Sequence, residues 1–312
     1  MKNKYEIVIV GAGPAGLSAA IYAARTTRSV LVIERAMVGG QQSMTEHLEN
    51  YPGTGKEPVS GVALAEKMQA QAEAQGAEFM FDEVKAIESS GDKKIVKTAY
   101  SGEIEADAVI LATGRSPRKL NVKGEENFIG KGVSFCATCD GAFYKDKKIA
   151  VIGGGNAAFE EAQYLTKFAK EIFLIHRRNE FRAEKIVIER VKSNPKIKIM
   201  TPFIVSSIEG ESKVQGVVIK NIENGKEQNI EVDGVFVYVG SNPNTEVFKD
   251  LVTIDKQGYV VADERMRTIS PGILAAGDML NKRVWQVVTA VSDGAISAIS
   301  ADEYLSKLEI KE

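Results

Sequence analysis

Tyr5-Glu6-Ile7-Val8-Ile9-Val10 runs straight into Gly11-Ala12-Gly13-Pro14-Ala15-Gly16, and this junction decides the fold. The apolar run from Ile7 to Val10 reads as a short buried strand, and the glycines mark a turn. Leu17, Ala20, Ile21 and Ala24 then recur at helical spacing, and Val30-Leu31-Val32-Ile33 reads as a second strand closing at Glu34. That is one βαβ unit. Gly11 permits the tight turn, Gly13 lets the backbone approach a pyrophosphate, and Gly16 lets helix and strand pack closely. The helix start adds free N–H groups and a partial positive charge, while Glu34 at the strand tip can hydrogen-bond ribose hydroxyls. An ordinary tight βα turn is the alternative, but strand, helix and acid all stand at the distances a dinucleotide site requires.

The plan recurs. Ile149-Ala150-Val151-Ile152 leads into Gly153-Gly154-Gly155-Asn156-Ala157-Ala158; Ala158, Ala162, Leu165 and Ala169 share one helix face, and Ile172-Phe173-Leu174-Ile175 closes at His176. Glu34 stands 23 residues after Gly11, and His176 stands 23 after Gly153. Equal spacing with matching glycines reads as two copies of one unit. The second copy differs where a different ligand would demand it. Ala158 replaces the third glycine, which the fingerprint tolerates. The acid gives way to His176-Arg177-Arg178, with Arg182 beyond. A carboxylate there would repel a 2'-phosphate, whereas a guanidinium binds it through paired charge-assisted hydrogen bonds. The second site is expected to prefer NADPH over NADH; a solvated basic cluster is the competing reading.

Between the copies lies Cys136-Ala137-Thr138-Cys139, with Asp140 directly behind, and the chain has no other cysteine. Two intervening residues let one turn bring the sulfurs together, and such thiols are often acidic enough to attack at neutral pH. Asp140 adds an acid/base group beside them. A CxxC pair passes two electrons as dithiol and disulfide, so with a flavin in one fingerprint and a nicotinamide in the other the chain reads as a disulfide reductase. Structural zinc would need four ligands; besides the cysteines there are only His47 and His176, neither at ligand spacing, so no metal is expected. An inert structural disulfide stays open as an alternative.

With 44% hydrophobic and 26% charged residues among 312, the chain has the composition of a soluble globular protein of two domains. A net charge of -2 gives no reason to expect nucleic acid or an anionic membrane as partner. No apolar run reaches the roughly 18 residues of a membrane span, and Met1-Lys2-Asn3-Lys4 leads into a strand without a signal-like segment. A single close cysteine pair suits redox work in a reducing compartment, so the cytoplasm is the expected location.

Each copy has a later apolar strand ending in glycine, Val109-Ile110-Leu111-Ala112-Thr113-Gly114 and Val235-Phe236-Val237-Tyr238-Val239-Gly240. A proline-bearing stretch follows each, Arg115-Ser116-Pro117-Arg118 and Ser241-Asn242-Pro243-Asn244. Read as crossings between domains, they make residues 116–245 an insertion into a discontinuous domain of 1–115 and 246–312. The expected fold is α/β, with two Rossmann-like dinucleotide-binding domains, the second inserted into the first. The tail returns through Gly272-Ile273-Leu274-Ala275-Ala276-Gly277-Asp278 to a last helix from about Gln286 to Leu305. Asp278 can hold a flavin's ribityl hydroxyls, and the helix start can turn its positive end toward the flavin ring. Gly-Asp is equally a common turn.

Gly11-Ala12-Gly13-Pro14-Ala15-Gly16, Gly39-Gly40-Gln41, Glu49-Asn50-Tyr51-Pro52-Gly53, Cys136-Ala137-Thr138-Cys139-Asp140-Gly141, Gly153-Gly154-Gly155-Asn156, His176-Arg177-Arg178 and Gly277-Asp278 occur in that order. Along essentially its full length the chain resembles the low-molecular-weight bacterial thioredoxin reductases. The resemblance implies a homodimer that uses FAD and NADPH to reduce thioredoxin or a similar small dithiol protein. It implies FAD contacts at Gly11, Gly13, Pro14, Ala15, Gly16, Glu34, Arg35, Gly40, Gln41, Asn50, Val84, Ala112, Thr113, Gly114, Gly277, Asp278, Gln286 and Val287. The NADPH site is expected over Gly153, Gly154, Gly155, Asn156, Ala157, Glu160, His176, Arg177, Arg178, Arg182 and Gly240. In family terms Cys139 receives electrons from the flavin, Cys136 attacks the disulfide of thioredoxin, and Asp140 shuttles protons. Because the NADPH site and the cysteines share one inserted segment yet need the same flavin face, a rotation about the linkers at Pro117 and Pro243 is expected. Two positions depart from the resemblance: Trp285 stands where arginine is usual, and Lys123 where proline is common.

Three rival readings compete with this one. A reductase fed by ferredoxin or another donor has no use for Gly153, Arg177 and Arg178. The flavoprotein of a peroxide-reducing system would carry a further thioredoxin-like domain ahead of Tyr5. A flavin redox sensor that binds a partner without turnover stays open, since a binding surface leaves no short motif.

Overall fold

The computed structural model describes residues 2–45, 48, 50–57 and 59–310; His47 and Glu49 lie outside the described residues. The chain divides into two compact units, Met1–Ser116 with Pro243–Glu312, and Pro117–Asn242. The crossings thus fall one residue and three residues inside the limits of 116 and 245 expected from sequence. Asn244 accounts for the second shift. Its side-chain amide donates to the Thr113 carbonyl at 2.9 Å, its backbone N–H donates to the Gly114 carbonyl at 3.0 Å, and its side-chain oxygen accepts from the Ser116 hydroxyl at 2.7 Å. The returning chain is therefore already tied into the first unit there.

In the first unit, Lys4–Val10 lies between Val30–Glu34 and Glu103–Leu111, all three parallel. Glu78–Phe81 extends the parallel side, Lys93–Thr98 and Val84–Ser90 add antiparallel strands, and Ile273–Ala275 pairs with the end of Glu103–Leu111. Both faces are covered, which is why the strand reads as an unbroken apolar run. Ile7 and Ile9 pack with the helices Pro14–Ala24, Gly61–Ala74 and Val287–Glu309, whereas Val8 and Val10 pack on the other face with Val96, Phe248 and Val260. Each such side chain contributes about 1.5–3 kcal/mol when buried. The second unit repeats the pattern with a parallel sheet ordered Ile197–Met200, Glu171–Ile175, Lys148–Gly153, Gly234–Tyr238 and Val133–Ser134. Ile149 and Val151 face the helix Asn156–Leu165, and Ala150 and Ile152 face an antiparallel sheet of Phe203–Gly210, Val214–Asn221 and Glu227–Glu231.

Three expected boundaries move. The strand placed at Val109 begins at Glu103, because Glu103, Glu105 and Asp107 alternate with buried Ile104, Ala106 and Ala108. The helix expected to reach Ala169 ends at Leu165, although Ala169 stays in the same core. The last helix runs from Val287 to Glu309. It crosses Pro14–Ala24 closely: a Cβ on Gly294 would overlap the Ala15 carbonyl oxygen, and the Ser18 hydroxyl donates to the Val291 carbonyl at 2.7 Å. Among the described residues no helix is long and apolar enough to cross a membrane.

Asp82 pins the turn that follows Glu78–Phe81. Its carboxylate accepts from the N–H groups of Glu83 at 2.7 Å and Ser101 at 2.8 Å. Burial alone would raise its pKa, but these donors outweigh burial and hold it at about 2, below the ordinary 3.8. A depressed carboxylate stabilises the fold fully above its ordinary value, and that contribution is lost as pH falls toward 2. Asp82→Asn is expected to cost about 2 kcal/mol at neutral pH and to flatten the acid limb between about pH 4 and 2. Denaturation midpoints across pH check this; an unchanged acid slope refutes it.

Candidate functional site

In the first unit the expected residues gather where the parallel strands end at their carboxyl edge, the place where such sheets bind ligands. Gly11 to Gly16 follow Lys4–Val10, Glu34 closes its strand, Val84 opens the strand after the Glu78–Phe81 turn, Ala112 to Gly114 follow Glu103–Leu111, and Gly277-Asp278 follow Ile273–Ala275. Gly11 has φ +105, and Gly16 lies so close to the Gly11 carbonyl oxygen that a Cβ would overlap it. Gly13 caps the helix Pro14–Ala24 with no side-chain hydrogen bond, and a Cβ there would meet no heavy atom within 4 Å. That open cradle beneath an uncapped helix start fits a pyrophosphate.

Glu34 does more than expected. One carboxylate oxygen accepts from Ala12 N–H at 2.8 Å and the other from Ala36 N–H at 2.9 Å, so it holds the glycine turn from the strand tip. Arg35 is exposed beside it. Gly40 and Gln41 begin the short helix Gly40–Met44, brought in by a bond from Gly39 N–H to the Ala12 carbonyl at 2.7 Å. Asn50 donates to the Gln286 side chain at 3.1 Å, and Gln286 caps the helix that starts at Val287. One oxygen of Asp278, Oδ1, is buried without a hydrogen-bond partner. Burial pushes the Asp278 carboxyl up, while Lys282 and Arg115 pull it down. A buried carboxylate oxygen left open fits the hydroxyls of a ribityl chain. The sequence did not mark Asp293, whose carboxylate accepts from Gly277 N–H at 3.1 Å and from Lys282 at 2.6 Å and so fixes this turn.

In the second unit, Gly155 caps Asn156–Leu165, again with no side-chain bond and no heavy atom within 4 Å of a Cβ. Asn156 faces Glu184, accepting its N–H at 2.7 Å and donating to its carboxylate at 3.2 Å, a pairing across 28 residues that no local signal shows. Ala157 and Glu160 are exposed on the helix, and Arg177, Arg178, Arg182 and Gly240 are exposed near the turn. His176 is placed differently. Its imidazole is buried against Gly154, whose Cβ would overlap the ring, and lies 5.6 Å from the Phe181 ring. Burial lowers its pKa, the neighbouring arginines add to that, and a hydrogen bond to the Glu180 backbone opposes it. The positive charge at this strand tip therefore rests on the arginines.

Cys136 and Cys139 form a disulfide on the helical turn Ala137–Asp140, just past Val133–Ser134 and at the carboxyl edge of the same sheet as Gly153. Cys136 caps the turn, its sulfur accepting from Cys139 N–H at 3.2 Å. Ala137 N–H donates to the Tyr238 hydroxyl at 3.0 Å, and burial raises the Tyr238 pKa so that the phenol stays neutral. Cys139 and Phe143 are exposed, and Cys136 and Asp140 are half-buried. The second unit thus carries the disulfide, with Cys139 exposed, and one uncapped helix start after a glycine turn; the first unit carries another such start.

Residues 5–294 match the family described as pyridine nucleotide-disulphide oxidoreductase. The chain is 42% identical over 311 residues to a thioredoxin reductase of Peptoclostridium acidaminophilum, covering 98% of each. It is 43% identical over 309 residues to one of Treponema pallidum, covering 99% of this chain and 100% of the other. The crystal structure of Lactococcus lactis thioredoxin reductase superposes with a TM-score of 0.93 at 41% identity, covering 97% of this chain and 99% of that one.

Gly16→Ala is expected to cost about 3 kcal/mol, because the new methyl must displace backbone rather than a flexible side chain. Thermal unfolding checks it; a melting temperature equal to wild type refutes the close approach.

Proposed function

The chain belongs to the pyridine nucleotide-disulphide oxidoreductase family and, within it, to the thioredoxin reductases, and we propose that it uses NADPH and FAD to reduce the disulfide of thioredoxin or a similar small dithiol protein. The observation that carries this is the Cys136–Cys139 disulfide on an exposed turn of the unit that also holds the Gly155 cradle and the exposed Arg177 and Arg178.

FAD would be held by the first-unit residues named above, with Glu34 toward a ribose, Gly13 beneath the pyrophosphate and Asp278 toward the ribityl hydroxyls. NADPH would lie on Gly153 to Ala157, with Arg177, Arg178 and Arg182 on its 2'-phosphate. When bound, the flavin supplies a relay for one electron pair between nicotinamide and disulfide. The protein's own residues do the rest. Once the pair is a dithiol, the Cys136 thiol gives its proton to Asp140 and attacks one sulfur of the partner's disulfide, and the other sulfur leaves as a thiolate that takes that proton back from Asp140. The Cys139 thiol then attacks the Cys136 sulfur, its proton passing by the same route to the partner's second sulfur as that sulfur leaves, which releases the partner as a dithiol and restores the Cys136–Cys139 disulfide. For the exchange to run, the pair must sit near thioredoxin's potential of about -270 mV, where every 30 mV is about 1.4 kcal/mol. We place the enzyme in the cytoplasm as a homodimer, on its cysteine usage and its family.

Purified protein is expected to show flavin bands that bleach with NADPH and recover when oxidised thioredoxin is added. Cys136→Ser with Cys139→Ser should leave the bleaching intact and abolish thioredoxin reduction; a colourless preparation, or a double variant that still turns over thioredoxin, defeats the reading. Arg177→Ala with Arg178→Ala should raise KM for NADPH by roughly ten- to a hundredfold, as expected for losing one or two charged hydrogen bonds, and leave KM for NADH nearly unchanged. Steady-state kinetics with both nucleotides checks this, and an unaltered preference refutes the phosphate role.

A further inference from the structure

Arg115 has no part in the chemistry above, yet its placement in the first unit is specific. Its carbonyl accepts from the Gln41 side-chain amide at 2.5 Å, which fixes the backbone directly after Gly114. Its guanidinium carbon lies 4.9 Å from the centre of the Trp285 ring and 5.8 Å from that of Tyr259. Those two rings lean on each other, centres 5.6 Å apart and tilted by 31°, and the Trp285 N–H donates to the Leu280 carbonyl at 3.4 Å. The ring contacts satisfy the face of the guanidinium. They do nothing for its N–H donors, which point outward in its plane.

Nε of Arg115 is buried and has no hydrogen-bond partner among the described residues. Oδ1 of Asp278 is in the same condition; Lys282 stands 3.7 Å from it and gives its hydrogen bond to Asp293 instead. Arg115 and Asp278 make no ion pair with each other. Leaving a buried donor or acceptor open is unfavourable, and a polar ligand with an acceptor for one and a hydroxyl for the other removes both costs. Gly13 and Glu34 already account for the pyrophosphate and adenosine end of a dinucleotide. Gly114, Asp278 and Gln286 lie along the other half.

We propose that Arg115 is a cofactor-binding residue, its Nε–H donating to the flavin half of FAD beside Asp278 while Trp285 and Tyr259 hold the guanidinium in position. This rests on the FAD site proposed above. The test uses the full-length holoprotein with Arg115→Gln and Arg115→Lys, reading FAD loss on serial dilution from free-flavin fluorescence and ADP affinity from competition against FAD. Arg115→Gln is expected to weaken FAD about tenfold with ADP affinity unchanged, since ADP lacks the flavin half. Arg115→Lys should not restore FAD affinity, because an ammonium has no in-plane Nε donor, and it carries the same comparison if the glutamine variant does not fold. Unchanged FAD affinity in both variants, or an equal loss of ADP affinity, overturns the assignment. A wild-type protein without a flavin band would defeat the FAD site itself, which is a different result.

Discussion

The helices Pro14–Ala24 and Asn156–Leu165 are each capped by a glycine, and no side chain closes either start. The other two long helices of the first unit do carry side-chain caps. Ser60 accepts from Ala63 N–H at 3.1 Å, and Gln286 and Thr289 form a reciprocal capping pair. Exchanging a serine cap for glycine costs only a few tenths of a kcal/mol, so leaving Gly13 and Gly155 bare is cheap for the fold. A serine in either place would put a side chain into the space above the turn and satisfy the very N–H groups an anion needs. The constraint is therefore an open helix start held close to a strand end. Gly16 against Gly11 supplies the closeness in the first unit, and Ala158 beside Gly153 supplies it in the second.

The two units solve the same mechanical problem, one with a charged group and the other with a neutral one. In the first, the strand-tip carboxylate of Glu34 braces the turn by accepting from Ala12 and Ala36. In the second, the corresponding brace is neutral: the His176 ring fills the space under Gly154, and the Arg182 N–H donates to the Gly154 carbonyl at 2.7 Å. Burial keeps that imidazole from adding its own charge. The turn thus loses its acid without losing its support, and the side chains of Arg177, Arg178 and Arg182 are left exposed.

Much of this was legible along the chain because it is local. Strand, glycine turn and helix stand within about 25 residues in each copy, and the apolar run from Ile7 to Val10 already says that both faces of its strand are covered. What the sequence hid is what distance assembles. Tyr238 reaches Ala137 across 101 residues, Asp293 holds Gly277 across 16, and the strand from Glu103 was masked by charges alternating on its exposed face. His176 looked like one more cation in a basic cluster, since nothing in the order of residues tells a buried ring from an exposed one. Trp285 looked like a bare departure from the family, and only its contact with Arg115 returns a guanidinium to its neighbourhood.

The cysteines show why exposure alone does not choose the attacking sulfur. Cys139 is the more exposed, yet the backbone N–H of Cys139 points at the sulfur of Cys136 from 3.2 Å. Hydrogen bonds to a charged acceptor are worth about 1.5–3 kcal/mol against about 1 for a neutral one, and this donor is aimed at Cys136. Tyr238 secures the geometry by holding Ala137 N–H, and its raised pKa keeps a second negative charge from forming beneath the turn. The same short turn that brings the sulfurs together thereby makes them unequal, which is the property a pair needs if one sulfur is to attack while the other resolves.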